Sequence, residues 1–83
     1  MNYYAGIDVS LESSSVCIVE ATGEIVKEAK VESHSDALVK FFKAFGLPLT
    51  VIGLEAGPLS QWLYAGLTEA GYVTTLMETP LQR

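Results

Sequence analysis

Residues 50–63 read Thr-Val-Ile-Gly-Leu-Glu-Ala-Gly-Pro-Leu-Ser-Gln-Trp-Leu, and this stretch decides the fold. Thr50 to Glu55 is a short β-branched and aliphatic run with no polar alternation, as expected of a buried parallel strand. Gly57-Pro58 then begins a helix, where proline is acceptable because its missing N–H would have no partner in the first turn. Leu59, Trp62, Leu63, Leu67 and Ala70 form the apolar stripe of that helix, and Gly71 closes it. Tyr72 to Met77 is again β-rich, so strand, helix and strand follow one another as a crossover unit.

Upstream the period is also helical. Leu38, Phe41, Phe42 and Phe45 stand at i, i+3, i+4 and i+7, one stripe of a helix. Ser33 or Ser35 can cap its start, Asp36 suits its first turn, and Gly46 followed by Pro48 ends it. Three strands precede this helix: Tyr3 to Val9, Ser14 to Val19 and Ile25 to Val31, with a hairpin signal at Ala21-Thr22-Gly23-Glu24. In the third strand Ile25, Ala29 and Val31 share one face with Lys27, while Glu24, Glu28 and Lys30 take the other with Val26, which suits a half-exposed edge. The element order is β-β-β-α-β-α-β. A right-handed crossover sets the fourth strand beside the first, giving a mixed α/β sheet of order 3-2-1-4-5 with strands one, four and five parallel and both helices on one face. Nothing in the sequence covers the other face, so an incomplete single domain over residues 1–83 is expected.

Composition narrows the function classes. Forty-nine per cent hydrophobic and 18% charged residues exclude a disordered acidic tail. No apolar run reaches the ~18 residues of a membrane span, and Met1-Asn2-Tyr3-Tyr4 lacks the positive start of a signal peptide, so a soluble, cytoplasmic chain is expected. One cysteine, Cys17, permits neither an internal disulfide nor a cysteine-built zinc site. Ten acids against five bases give a net charge of −5. Nucleic-acid affinity rests largely on neutralised phosphates, so the chain alone should bind DNA or RNA poorly unless metal ions or further protein supply positive charge.

Two acids carry the chemistry. Asp8 and Glu55 are each the lone acid of an apolar strand, and each follows a glycine by two residues, Gly6 and Gly53. Side chains repeat on one face every second residue, so each acid has an empty position beside it. On parallel neighbouring strands the two carboxylates would project from one end of the sheet and repel. A divalent cation removes that conflict, and magnesium uses a few carboxylates together with substrate phosphates. Such ions activate a nucleophile and steady the leaving oxygen of a phosphodiester. The turn at Ala56-Gly57-Pro58 would aim a helix N-terminus, which favours anions, at the same rim.

Gly6-Ile7-Asp8-Val9-Ser10 and Gly53-Leu54-Glu55-Ala56-Gly57-Pro58-Leu59-Ser60-Gln61-Trp62-Leu63 together resemble the amino-terminal domain of the DEDD-type insertion-sequence transposases, the IS-one-ten group. The resemblance extends from Tyr4 to about Thr79, and the eleven-residue stretch is its specific part. It implies a RuvC-like, ribonuclease-H-type fold and a four-acid magnesium site for DNA transposition and recombination, with Asp8 and Glu55 matching the first two acids as catalytic and metal-binding residues. It also implies DNA and a structured guide RNA as partners of the full-length protein. The family's last two aspartates and its serine-bearing domain have no counterpart, so the isolated chain is expected to be inactive. Leu11 stands where the family often has a basic residue, and Pro80-Leu81-Gln82-Arg83 replaces its usual continuation.

Other residues have plainer readings. Glu12 could reach a metal at Asp8 but reads as a solvated turn acid, and Ser10 as a turn residue. Ser60 and Gln61 could contact nucleic acid, though capping explains them equally. Ser60 has no base beside it to make it a nucleophile. His34 reads as a polar residue before a helix, Cys17 as a small buried hydrophobe, Trp62 as core and Glu78 as an exposed strand-end acid. Two rival functions remain: a Holliday-junction resolvase with the same fold and metal chemistry, and a non-catalytic module that dimerises or swaps domains over its open face. Actin-like or sugar-kinase ATPases need a glycine- and threonine-rich loop after the first acid, and Ser10-Leu11-Glu12-Ser13-Ser14 contains no glycine.

Overall fold

Side-chain alternation along the strands decides which face of the sheet is covered. The computed structural model describes residues 2–55 and 57–77. The strands are β1 (Tyr3–Asp8), β2 (Ser13–Glu20), β3 (Ile25–Glu32), β4 (Val51–Glu55) and β5 (Thr74–Met77). Helix α1 (Ser35–Phe45) joins β3 to β4, and α2 (Ser60–Glu69) joins β4 to β5. The sheet runs β3-β2-β1-β4-β5, with β2 antiparallel to β1 and β3, and β4 parallel to β1 and β5. Element order, sheet order and strand directions agree with the sequence reading.

The buried strand residues are Ala5 and Ile7 of β1, Val16 and Ile18 of β2, and Ile52 and Leu54 of β4, and they pack with Leu38 and Phe42 of α1 and Leu63 and Leu67 of α2. Since these strand positions share one face, both helices lie on that face. Each fully buried Leu or Ile contributes roughly 1.5–3 kcal/mol. Tyr3 against Phe45 and Phe42 against Tyr72 close the edge of this layer, with ring centroids 5.7 and 5.8 Å apart. The opposite face of the sheet is bare among the described residues. No helix is long and apolar enough to cross a membrane.

Several local expectations change. The cap of α1 is His34, neither serine: its Nδ1 accepts the Asp36 N–H at 3.2 Å. Ser33 is drawn inward instead, where its hydroxyl meets that of Ser14 at 2.7 Å. Gly46 ends α1 as read, in the left-handed conformation at φ 83° that only glycine adopts without strain. Helix α2 starts at Ser60, not at Gly57-Pro58, because the Ser60 hydroxyl folds back to donate to the Gly57 carbonyl (2.7 Å) and accept the Gly57 N–H (2.9 Å), holding that segment as a turn. Trp62 is 48% exposed, lying edge-on to His34 rather than in the core. Ala70 is exposed, and Cys17 is half-buried on the bare face.

A β-bulge sets the facing of β3. Near the hairpin Val19 pairs with Ile25, but from Ile18 onward the register moves by one and Ile18 pairs with Lys27. One residue of slip exchanges the two faces of a strand. Ala29 and Val31 thereby meet the helix layer, where Val31 packs on the core, and Glu28 and Lys30 reach the bare face. Ile25, opposite Val19, also falls on the bare face, not with Ala29 and Val31 as the simple alternation has it.

Candidate functional site

Asp8 and Glu55 emerge on the bare face at the same end of the sheet. Their neighbours Ile7 and Leu54 are register partners in the parallel pair of β1 and β4, so Asp8 stands level with Glu55. Backbones of neighbouring strands are roughly 4.8 Å apart. Asp8 pairs on its other side with Ser15, Ser15 with Lys30, and Glu55 with Met77. A row therefore crosses all five strands on one face: Lys30, Ser15, Asp8, Glu55, Met77. The next row inward is Glu28, Cys17, Gly6, Gly53 and Thr75. A groove of about 590 Å³ follows these rows and is lined by Asp8, Glu55, Ser15, Cys17, Glu28 and Lys30, among others.

The paired glycines shape its floor. A Cβ added at Gly6 would meet nothing within 4 Å, whereas one at Gly53 would come within 2.9 Å of the Met77 Cε. The floor is open beside Asp8 and is roofed by a flexible methionine beside Glu55. Farther from the rim, Tyr4, Val19 and Val51 extend the surface into a second, apolar groove of about 340 Å³.

The turn that follows Asp8 is fixed from below. Ser33, at the junction of β3 and α1, donates its N–H to the Glu12 carbonyl at 3.1 Å and its hydroxyl to the Ser10 carbonyl, while that hydroxyl also pairs with Ser14. Ser14 is fully buried and Ser33 is 8% exposed. Stranding one such buried hydroxyl costs about 1–3 kcal/mol. Ser10 thus serves through its carbonyl, as a turn residue, and Glu12 is exposed. This brace was invisible in the sequence, where Ser33 read as a helix cap.

The other candidates stand apart from the acid pair. Ser60 is buried by its turn bonds, and Gln61 is exposed on α2. His34 serves α1 as its cap and packs on Trp62. Glu78 lies outside the described residues. Among the described residues, no group of three or more His, Cys, Asp or Glu comes together to hold a metal. Glu28 and Lys30 are the charged groove residues that the sequence does not single out. The alternation of β3 carried the signal, but only the bulge tells which of its faces turns toward the acids.

No family model matches the sequence. No curated protein matches it either. Among solved structures, the chain is similar to T. thermophilus RuvC in complex with a Holliday junction substrate, with a TM-score of 0.71 and 10% identity over 94% of this chain and 65% of that one. It is also similar to YeaZ from Pseudomonas aeruginosa, with a TM-score of 0.56 and 12% identity over 94% of this chain and 44% of that one. Marinitoga piezophila Argonaute, in complex with 5′ OH guide RNA, gives a TM-score of 0.51 and 19% identity over 93% of this chain and 16% of that one. The chain spans less than two thirds of each of these proteins. At such identities the likeness speaks for fold, and together with the sheet order it assigns the chain the ribonuclease-H-like fold of RuvC.

Proposed function

We propose that the chain supplies two carboxylates, Asp8 and Glu55, to a magnesium site for phosphodiester chemistry on nucleic acid, and that it does so as part of a DNA transposase or recombinase. The observation that carries this reading is the register of β1 and β4, which sets the two acids side by side on an open groove. Two carboxylates on an open rim fit magnesium, which keeps water and takes substrate phosphate oxygens for its remaining positions. When bound, the ion supplies electrostatic stabilisation and activation of an oxygen nucleophile. The chain's own part is to hold the carboxylates: strand pairing fixes their spacing, and the Ser33 brace fixes the turn after Asp8. The bareness beside Gly6 leaves room for a sugar-phosphate backbone. RuvC was solved with a Holliday junction and Argonaute with a guide RNA, which favours a nucleic-acid substrate. The transposase reading rests on the stretch from Gly53 to Leu63, and a resolvase would use the same pair of acids.

The test is a titration with manganese(II), a paramagnetic stand-in for magnesium. Broadening of amide signals should centre on residues 7–9 and 54–55 and vanish in Asp8→Asn and in Glu55→Gln. Broadening that ignores both substitutions would remove the site.

A second reading has its own observation. Tyr4, Val19, Val51 and Met77 line the apolar groove on the same bare face, and two copies pairing there would cover it. Sedimentation equilibrium should then show a concentration-dependent dimer; a monomer at every concentration overturns this reading.

A further inference from the structure

The acid pair leaves one electrostatic question open: what holds a polyanion against a face that presents Asp8, Glu28, Glu32 and Glu55. The chain has five bases. Lys27 lies on the helix side of β3, its Nζ 5.9 Å from the Phe41 ring centroid. Lys40 and Lys43 line a separate groove between α1 and α2. Arg83 is outside the described residues. Lys30 alone among the described bases lines the groove of the acid pair.

Its place in that groove is specific. Lys30 stands in the same transverse row as Asp8 and Glu55, with the small side chain of Ser15 between. Two strand spacings separate the backbones of β3 and β1, roughly 9.6 Å. A lysine carries its charge on a flexible four-carbon stem, so the ammonium can sweep the gap over Ser15 without blocking the acids. The bulge at Ile18/Val19 is what sets it in the acid row; without that slip this face would carry Lys27, Ala29 and Val31, with Lys27 one row inward opposite Cys17 and Ala29 opposite Ser15.

We propose that Lys30 is a phosphate-holding residue of this groove, gripping a backbone phosphate next to the one that lies over Asp8 and Glu55. This rests on the reading of the groove as a nucleic-acid site. It adds a direction: the strand crosses the sheet along the row, from β4 over β1 and β2 toward β3, rather than along the strands. The serine at position 15 keeps the path low, and the apolar groove beyond Tyr4 lies to one side of it.

The experiment measures binding of a short fluorescent single-stranded oligodeoxynucleotide in magnesium by anisotropy, over a series of salt concentrations. Lys30→Gln should lower the salt slope by about 0.7–1, the share of one phosphate contact, and so weaken binding roughly fivefold at 0.1 M salt. Lys30→Arg should keep the slope. Lys43→Gln, which removes the same charge from the helix side, should leave the slope unchanged. A Lys30→Gln chain with the wild-type slope, equal losses in Lys30→Gln and Lys43→Gln, or no oligonucleotide binding by the wild type would each overturn the proposal. The manganese titration separates the two readings. Manganese broadening that depends on Asp8 and Glu55, with no Lys30 effect, sinks this inference alone; a Lys30 effect without that broadening sinks the metal site and leaves the phosphate contact.

Discussion

Gly66→Leu is expected to lower the unfolding midpoint by about 12–24 °C, the consequence of losing about 3 kcal/mol in a domain of this size. By composition the opposite should hold, since glycine inside a helix is about 1 kcal/mol worse than alanine. The reason lies across the helix pair. A Cβ at Gly66 would sit 2.4 Å from the Ser35 Cβ and 2.6 Å from its Oγ. Ser35 is the first residue of α1, and its Cβ is tied to the backbone, so the helices must part before any side chain fits. The total stability of a chain this size is on the order of 4–12 kcal/mol, so the loss takes a large share of it. Gly66→Ala should move the same way by about 1 kcal/mol, the overlap exceeding the gain in helix propensity. Ser35→Gly removes the atoms that collide, so combined with Gly66→Ala it should recover most of that loss; thermal unfolding of the four chains gives the coupling directly. Full additivity would mean that the two helices do not meet at these residues.

That contact also marks where sequence reading stops. The stripes of α1 and α2, the hairpin and the lone acids give element order, strand directions and covered face, because each follows from a local period. Gly66 is silent, for a glycine in a helix looks the same whether it faces water or a neighbouring backbone. Trp62 fell on the expected stripe but at its margin, where His34 rather than the core receives it. Serine preference points to Ser33 or Ser35 as the α1 cap, yet Ser33 has a stronger competitor for its hydroxyl in the buried pair with Ser14 and the Ser10 carbonyl.

The acid pair was legible because a carboxylate ending an apolar strand is conspicuous and because the sheet order makes β1 and β4 neighbours. Lys30 was not. Extending the hairpin pairing of Val19 with Ile25 would place Lys27 opposite Cys17, and so on the face of the acids. The apolar pair Ala29 and Val31 instead claims the helix side, and the strand absorbs the mismatch in a bulge. Burial outweighs turn geometry here, and the side effect is chemical: the same slip that covers two aliphatic residues presents Glu28 and Lys30 to the groove.

Gly6→Leu should separate fold from function. Gly6 has open space above it, in the middle of β1 and level with Gly53. Strand interiors gain from a side chain in place of glycine, by up to about 1 kcal/mol, so the unfolding midpoint should hold or rise by a few degrees. The leucine would stand on the floor beside Asp8, one strand position inward of the acid row, where the hydration shell of a cation and the backbone of a substrate need room. Magnesium sheds its water reluctantly, so an apolar side chain there should weaken manganese-dependent oligonucleotide binding by on the order of tenfold or more, about 1.4 kcal/mol or above. Gly53→Ala offers the internal comparison: its methyl would displace only the end of the Met77 side chain, with little effect on either measurement. A Gly6→Leu chain that melts normally and binds oligonucleotide with wild-type affinity would show that the ligand does not lie over the glycine floor, and would move the site off this face of the sheet.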